Sequence, residues 1–264
     1  MSAGTIDEIR EFWDAEALRY GNARTGAHSD PYLVELENWF IIEKCLKRIR
    51  PKGLIDVGCG NGQRTRLFSE HVSGKVVGID FSGNMVSMAE KLSDNRIHFY
   101  HADILEEESL RTLYGRFDCV ISCRCLINLG SVQNQLAAID HIHSLLSSRG
   151  MFVFCEGSRQ GTERLNGLRA KLGLKPIIPV RANLDLDESI VMPYLQRKFN
   201  VFEKTTFATY YLLTRVYYPG VIRPEEPDPT SKFNAVAAHL AMQIEQDVTM
   251  DYGRHLCACC QKRD

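Results

Sequence analysis

The stretch Leu54-Ile-Asp-Val-Gly-Cys-Gly-Asn-Gly62 decides the fold of this chain. Its first four residues form a short apolar run around one acid, which predicts a buried strand. The three glycines that follow at alternate positions predict a strand-to-helix turn, because glycine adopts positive φ angles and lets the backbone approach a ligand closely. A dinucleotide fingerprint, GxGxxG, would place its third glycine at Gln63, and no GxxxxGK[ST] occurs in the chain. The stretch therefore predicts a cofactor loop of a type that does not cradle phosphates.

Short apolar runs recur downstream of this loop and alternate with helical segments. Each run spans five to eight residues without clean polar alternation, as expected for strands buried on both faces of a parallel sheet. The first run is 54–58, and the others are 75–80, 96–103, 117–123 and 151–157. Segments 83–92 and 132–147 have the length of crossover helices. Together they predict a doubly wound α/β sheet of the Rossmann type.

Two more acids follow predicted strands. Asp80 ends the second strand, where a carboxylate beside the glycine loop can accept hydrogen bonds from ribose hydroxyls. Asp103 ends the third strand and is suited to accept a hydrogen bond from an adenine amino group. The pattern indicates an adenosine site without a diphosphate. Asp56 either contributes to that site or caps the loop by accepting backbone amides.

The arrangement Asp56-x-Gly-x-Gly-x-Gly, Asp80 and Asp103, each acid at a strand end, resembles the class I S-adenosylmethionine-dependent methyltransferases over residues 50–157. The resemblance implies that the Gly58–Gly62 loop lies under the methionine part of S-adenosylmethionine, that Asp80 binds ribose, and that Asp103 with the Ile104 amide reads adenine. It also implies that the end of the fourth strand lines the methionine site. The candidate cofactor-binding residues are Asp56, Gly58, Cys59, Gly60, Asn61, Gly62, Asp80, Phe81, Asp103, Ile104 and Ser122.

The acceptor side is less defined. Relatives often carry a substrate-facing histidine just after the fourth strand, and this chain has Asn128 there. Glu156 is expected to face the crevice at the end of the fifth strand, either as a base that orients or deprotonates the acceptor or as a cap for the next segment. Asn128 and Arg124 are expected to orient the acceptor. These three residues are the candidate catalytic set.

The expected reaction is methyl transfer to an oxygen or nitrogen of a small polar acceptor, with a sugar or glycan intermediate suggested by a looser similarity of the second half to polysaccharide-pathway relatives. One alternative is carbon methylation of a quinone-like or natural-product substrate. Another, from a different class, is a non-catalytic S-adenosylmethionine-binding regulator. An RNA methyltransferase is a weaker option, because no basic tract is visible.

The second half of the chain predicts an antiparallel ending to a seven-stranded sheet. Segments 200–207 and 255–262 match the family's last two strands, and about 45 residues between them are far more than a hairpin needs. We therefore expect a lid at about 208–252. Before it come a helix at 163–173, an extended linker at 174–180, and a helix capped by Asp187 that runs to Lys198.

Aromatic residues also suggest roles. Trp13 and Tyr20 are either core residues of a first helix at 5–20 or part of a helix that closes over the cofactor. A second helix ends before Pro51. Arg215 and four tyrosines could form a substrate-binding wall or simply pack the lid onto the sheet. Those tyrosines are Tyr210, Tyr211, Tyr217 and Tyr218.

Composition fits one domain with a full hydrophobic core: 264 residues, of which 44% are hydrophobic and 25% charged. We divide 1–264 into a helical cap (1–50), a cofactor-binding core (51–157) and a substrate-side half (158–264). Lys and Arg number 32 against 33 acids, which disfavours a nucleic-acid or membrane partner. The charged start and the lack of long apolar runs predict a cytoplasmic protein with free thiols. His255, Cys257, Cys259 and Cys260 are expected to form a plain buried strand, with no metal.

Overall fold

A seven-stranded mixed sheet forms the centre of the protein. The structure is a computed structural model that describes residues 5–21, 30–180, 182–244 and 251–264. The strand order is β3-β2-β1-β4-β5-β7-β6. The strands are β1 Leu54–Val57, β2 Val76–Asp80, β3 Ile97–His101, β4 Phe117–Cys123, β5 Leu146–Gly157, β6 Phe199–Thr205 and β7 His255–Lys262.

Strands β1 to β5 are parallel to one another, whereas β7 lies antiparallel between β5 and β6. Asp56 of β1 pairs with Gly78 of β2 on one side and with Ile121 of β4 on the other. The chain order reverses at β1, where the neighbours are β2 and β4, so a crevice opens at the carboxyl ends of these strands. The predicted Rossmann-like sheet with its antiparallel ending is confirmed.

The helices follow the predicted order. Thr5 caps the first one with a capping box that includes Glu8, and Asp187 caps the ninth by accepting from the Ser189 amide. Residues 174–180 have no regular structure, as expected for the linker held by Pro176 and Pro179. The helices are α1 Ile6–Tyr20, α2 Pro31–Trp39, α3 Lys47–Ile49, α4 Gln63–Ser69, α5 Gly83–Ala89, α6 Glu107–Leu110, α7 Val132–Leu145, α8 Arg159–Lys171, α9 Glu188–Lys198, α10 Ala208–Leu212 and α11 Lys232–Ile244.

Several boundaries differ from expectation; for example, the helix predicted at 163–173 is α8 and begins at Arg159. Helix α2 continues through a π-helical turn, Phe40–Leu46, into α3. The helix predicted over 132–147 ends at Leu145, because Leu146 already pairs with Phe117 and β5 begins there. None of the described helices is long and apolar enough to cross a bilayer.

Hydrophobic side chains bury both faces of the sheet. The cysteines of β7 follow its alternation: Cys257 and Cys259 pack into the cluster that contains Phe40 and Tyr210, and Cys260 packs with Phe152 on the opposite face. All nine cysteines are free thiols. The predicted plain buried strand at the C-terminus is confirmed.

The insertion between β6 and β7 contains α10, a π-helix at Leu213–Ile222, and α11. Helix α11 packs against α10 and α2, so the insertion joins the N-terminal helices on one side of the sheet. Its movement as a lid stays a prediction, and 245–250, in the expected lid range, lie outside the described residues.

Candidate functional site

A cavity of about 570 Å³ lies at the carboxyl ends of the central strands, and the glycine loop forms part of its wall. Gly58, Gly60 and Gly62 have φ angles of 75°, 55° and 75°, a region that side chains other than glycine rarely adopt. A Cβ on Gly58 would meet Cys125 at 2.6 Å, and one on Gly62 would meet Phe99 at 2.8 Å. A Cβ on Gly60 would meet nothing within 4 Å. The loop is therefore packed tightly at both ends and open at its middle glycine.

Asp80 fixes the open part of this loop. Its Oδ2 accepts a hydrogen bond from the Gly60 amide at 2.8 Å, and its Oδ1 accepts one from the Ser82 amide at 2.9 Å. Burial raises the pKa of this carboxyl to about 6, against the lowering effect of the two amides. Each oxygen keeps a second lone pair, and the residue lines the cavity, so Asp80 can still accept hydroxyl hydrogen bonds.

The other candidates of the loop have structural partners. Asp56 lines the cavity and accepts a hydrogen bond from the Thr65 hydroxyl at 2.5 Å, rather than from the backbone amides that a loop cap would use. Burial raises the pKa of Asp56 to about 6. The Asn61 amide group donates to the Gly21 carbonyl at 3.0 Å, which ties the loop to the end of α1. Cys59 is buried in the wall of the cavity.

Helix α1 closes one side of the same cavity. Asp103 accepts from the Leu105 amide at 2.9 Å and faces Arg10 at 3.4 Å, and the Arg10 guanidinium lies 5.7 Å from the centre of the Phe81 ring. Phe81, Asp103 and Ile104 all line the cavity, and their binding of adenine stays a prediction. Trp13 lines it too, and its buried Nε1 has no hydrogen-bond partner among the described residues. Trp13 thus lies over the site rather than in the sheet core, while the side chain of Tyr20 lies outside the described residues.

Two predicted site residues point elsewhere. Ser122 was expected to line the cavity, but it is fully buried outside the lining and donates to Glu156 at 2.8 Å. Glu156 was expected to face the crevice, but its carboxylate accepts from the amides of Cys125, Leu126 and Ile127 at 3.1–3.3 Å. Both expectations about orientation are wrong, because the chain after β4 folds back over the end of β5. Burial raises the pKa of Glu156 to about 7.

Comparison with known proteins agrees with this geometry. Residues 54–150 match a family model described as a methyltransferase domain. Residues 54–150 therefore carry a domain of the S-adenosylmethionine-dependent methyltransferase type. A probable S-adenosylmethionine-dependent methyltransferase of Saccharomyces cerevisiae is 34% identical over 146 residues, which cover 53% of this chain and 44% of that protein. An uncharacterized protein of Haemophilus influenzae is 31% identical over 127 residues, 44% of this chain and 48% of that protein. The chain thus spans less than half the length of these curated relatives.

Solved structures share the fold of this chain along most of its length. The [4+2]-cyclase SpnF aligns with a TM-score of 0.62 at 16% identity, covering 99% of this chain and 98% of the cyclase. The magnesium protoporphyrin IX methyltransferase of Synechocystis, solved with bound S-adenosylhomocysteine, aligns with a TM-score of 0.58 at 15% identity and covers 97% and 99%. One neighbour is a cyclase and the other a methyltransferase, so the reaction must be argued from the site and not from the fold.

The remaining candidate residues lie after β4. Arg124 lines the cavity with a left-handed φ of 56°, and Asn128 donates to the Arg124 carbonyl at 2.6 Å. The Oδ1 atom of Asn128 is buried and has no partner among the described residues. The two predicted acceptor-side residues are thus in the cavity wall together, whereas Glu156 supports the turn that carries them.

Sequence reasoning missed a buried network on the acceptor side of the cavity. The Tyr211 hydroxyl lies 2.7 Å from Nδ1 of His255, and Nε2 of His255 lies 3.0 Å from Oε1 of Glu37. Glu37 also pairs with Arg64 at 3.0 Å, and this guanidinium lowers the pKa of Glu37 despite full burial. The network joins α2, α4, α10 and β7, and no local motif marks contacts between residues so far apart in sequence.

Of the tyrosine cluster, Tyr211 alone is in the described lining of the cavity, with Arg215 beside it. Tyr210 is buried and donates to Asp30 at 2.9 Å, Tyr217 is half exposed, and Tyr218 packs against Phe233. Tyr211 and Arg215 therefore remain the candidates for the expected substrate-binding wall, whereas Tyr210 and Tyr218 hold the insertion in place.

Proposed function

We propose that the protein transfers a methyl group from S-adenosylmethionine to an oxygen or nitrogen atom of a small polar acceptor. One observation carries this proposal: a buried acid, Asp80, holds the middle of a glycine loop that opens onto a large cavity in a chain of the methyltransferase family. The division into a helical cap, a cofactor-binding core and a substrate-side half belongs to the same proposal.

The residues of the cavity fit the cofactor. Asp80 would bind the ribose hydroxyls, Asp103 and Ile104 would hold adenine, and the open space above Gly60 would take the methionine part. The unpartnered Trp13 Nε1 offers one more donor from α1. When bound, S-adenosylmethionine supplies a methyl group activated by the sulfonium charge, so the protein has to position the acceptor and exclude water.

The chain Tyr211–His255–Glu37 gives the site a route for a proton. Because the lowered pKa keeps Glu37 ionised, its carboxylate is an acceptor, and Nε2 of His255 must carry the hydrogen between them. Nδ1 then accepts from the Tyr211 hydroxyl. A hydroxyl or amine acceptor can give its proton to the Tyr211 oxygen while Tyr211 passes its own to His255, and Glu37 stabilises the resulting imidazolium.

The first test is calorimetric titration with S-adenosylhomocysteine, with NAD as the control ligand. We expect micromolar binding of the first and none of the second. Asp80→Ala should weaken S-adenosylhomocysteine binding about tenfold or more, the scale of losing hydrogen bonds to a charged group. Asp94→Ala is the matched control, because Asp94 also accepts backbone amides but lies outside the cavity lining. Equal binding by wild type and Asp80→Ala would refute the cofactor assignment.

The second test is methyl transfer from radiolabelled S-adenosylmethionine to a panel of hydroxyl, amine and quinone-like acceptors. Products on oxygen or nitrogen support the proposal, and a product on carbon would replace it with carbon methylation. In the active case, Tyr211→Phe and His255→Asn should lower kcat more than they raise KM, and the loss should shrink at high pH, where the acceptor ionises without help. Binding of the cofactor without any transfer would favour a regulatory protein.

A further inference from the structure

The acceptor side of the cavity is unusually rich in arginine. Four guanidinium groups from different elements line it: Arg64 of α4, Arg124 after β4, Arg215 of the insertion and Arg254 before β7. Arg254 and Arg215 act on Tyr211, where their positive charges oppose the rise in pKa that burial produces. The positive groups therefore surround the point where we place the reacting atom of the acceptor.

Arg124 makes little direct contact with acidic side chains. Its one ion pair among the described residues is with Oε1 of Glu37 at 3.4 Å, and Glu37 already pairs with Arg64 at 3.0 Å and bonds His255. One carboxylate thus serves two guanidinium groups. Burial lowers the pKa of Arg124 to about 10, and the charge of Glu156 opposes this shift without cancelling it.

Arg215 supplies an unused donor in the same cavity. Its Nη2 pairs with Asp30 and its Nε with Glu226, both at 2.9 Å, whereas its buried Nη1 has no partner among the described residues. Leaving a donor of a charged group buried and unbonded is costly unless a ligand completes it. Arg124 and Arg215 thus offer guanidinium donors to an anion.

The other residues that line the cavity indicate the chemistry of the molecule that carries the anionic group. Ile178 and Val180 of the extended linker line the cavity and are 74% and 57% exposed, and Leu33 and Ile127 add buried apolar wall. Exposed aliphatic side chains beside a cavity gain free energy when an apolar ligand covers them. A bare inorganic anion would leave them in water.

Building on the proposed methyl transfer, we propose that the acceptor is an organic monocarboxylate with an apolar body, and that Arg124 and Arg215 bind its carboxylate. The planar guanidinium fork matches a carboxylate in two parallel hydrogen bonds. The carboxylate anchors the acceptor so that a neighbouring hydroxyl or amine lies at Tyr211.

The test is calorimetric titration with benzoate, its neutral isostere benzamide, and inorganic phosphate, on the protein alone and saturated with S-adenosylhomocysteine. We expect benzoate to bind about tenfold more tightly than benzamide, the scale of a charge-assisted pair, and phosphate to bind more weakly than benzoate. Equal binding of benzoate and benzamide overturns the proposal. The protein-alone titrations keep this result separate from a failure to bind S-adenosylhomocysteine, which would refute only the proposed function.

Arg124→Met should abolish the preference for benzoate over benzamide without lowering the melting temperature, because Glu37 retains Arg64 and His255. Arg215→Lys keeps a positive charge beside Asp30 but removes the two parallel donors of the guanidinium, so it should weaken benzoate binding severalfold. Arg48→Met, at an exposed ion pair with Glu203, is the matched control and should bind like wild type. If Arg124→Met weakens the binding of S-adenosylhomocysteine and leaves the binding of benzoate unchanged, Arg124 binds the carboxylate of the cofactor and the proposal fails.

Discussion

Replacing Gly60 with alanine separates the binding role of the glycine loop from its folding role. Gly60 and Gly115 have φ angles of 55° and 69°, and a Cβ on either residue would meet nothing within 4 Å. They differ in place, since Gly60 lines the cavity and Gly115 does not. Each substitution should therefore destabilise the fold by about 1–2 kcal/mol, the cost of a left-handed alanine. That loss lowers the melting temperature by roughly 2–8 °C at this chain length.

Only Gly60→Ala should also lose cofactor affinity. The new methyl group would project into the open space above the loop, where we place the methionine part, and crowding of this kind costs about 1–3 kcal/mol, or roughly 5- to 150-fold in Kd. Thermal unfolding measures the first effect, and calorimetric titration with S-adenosylhomocysteine measures the second. Two variants that melt alike but differ in affinity support the reasoning. Wild-type affinity in folded Gly60→Ala would show that no ligand passes over this loop.

Three other substitutions test neighbouring parts of the site. Burial raises the pKa of Asp56 in the folded state from 3.8 to about 6, so the free energy of unfolding falls as the pH rises through that window. Asp56→Asn should remove this cost, up to about 3 kcal/mol at pH 8, and should raise the melting temperature at pH 8 but not at pH 4. Trp13→Phe should remove most of the fluorescence change that accompanies S-adenosylhomocysteine binding, whereas Trp39→Phe should retain it. Glu156→Ala should destabilise the fold by several kcal/mol, because three buried backbone amides lose their acceptor. Glu156→Gln should keep most of the stability. Equal melting temperatures of wild type and Glu156→Ala would contradict the anchoring role of Glu156.

The sheet and the cofactor side of the site were predictable because their signals are local. Four-residue runs such as Leu54–Val57 carry their own burial pattern, and the glycines mark the turn that must follow. Parallel strands bring their carboxyl ends to one edge, so Asp80 and Asp103 come together without further information. In each case the position of a residue within its strand or turn is enough to predict where that residue lies in the fold.

The acceptor side depends on contacts that no such pattern encodes. Glu37 and His255 are 218 positions apart, and their contact requires α2 to pack beside the end of β7. In the sequence, Tyr211 and three nearby tyrosines were equal candidates for the substrate-binding wall. Only the orientation of α10 shows that Tyr211 lines the cavity and that Tyr210 does not. Tertiary packing of the insertion decides these contacts, and the sequence of the insertion shows only that it is long.

Asp80 and Glu156 illustrate why an acid at a strand end cannot be assigned from its position. Both are buried, both have a pKa raised by burial, and both hold a loop by accepting backbone amides. The two carboxylates differ in which of their lone pairs remain free to accept a hydrogen bond from a ligand. Asp80 accepts one amide on each oxygen and lines the cavity, whereas Oε1 of Glu156 alone accepts three hydrogen bonds and its side chain lies behind the turn. An acid that binds ligand must retain lone pairs toward the cavity, so Asp80 is suited to bind ribose and Glu156 is suited to hold Arg124 and Asn128 in place. We therefore place the proton acceptor of the proposed reaction at Tyr211 and His255, which line the same cavity.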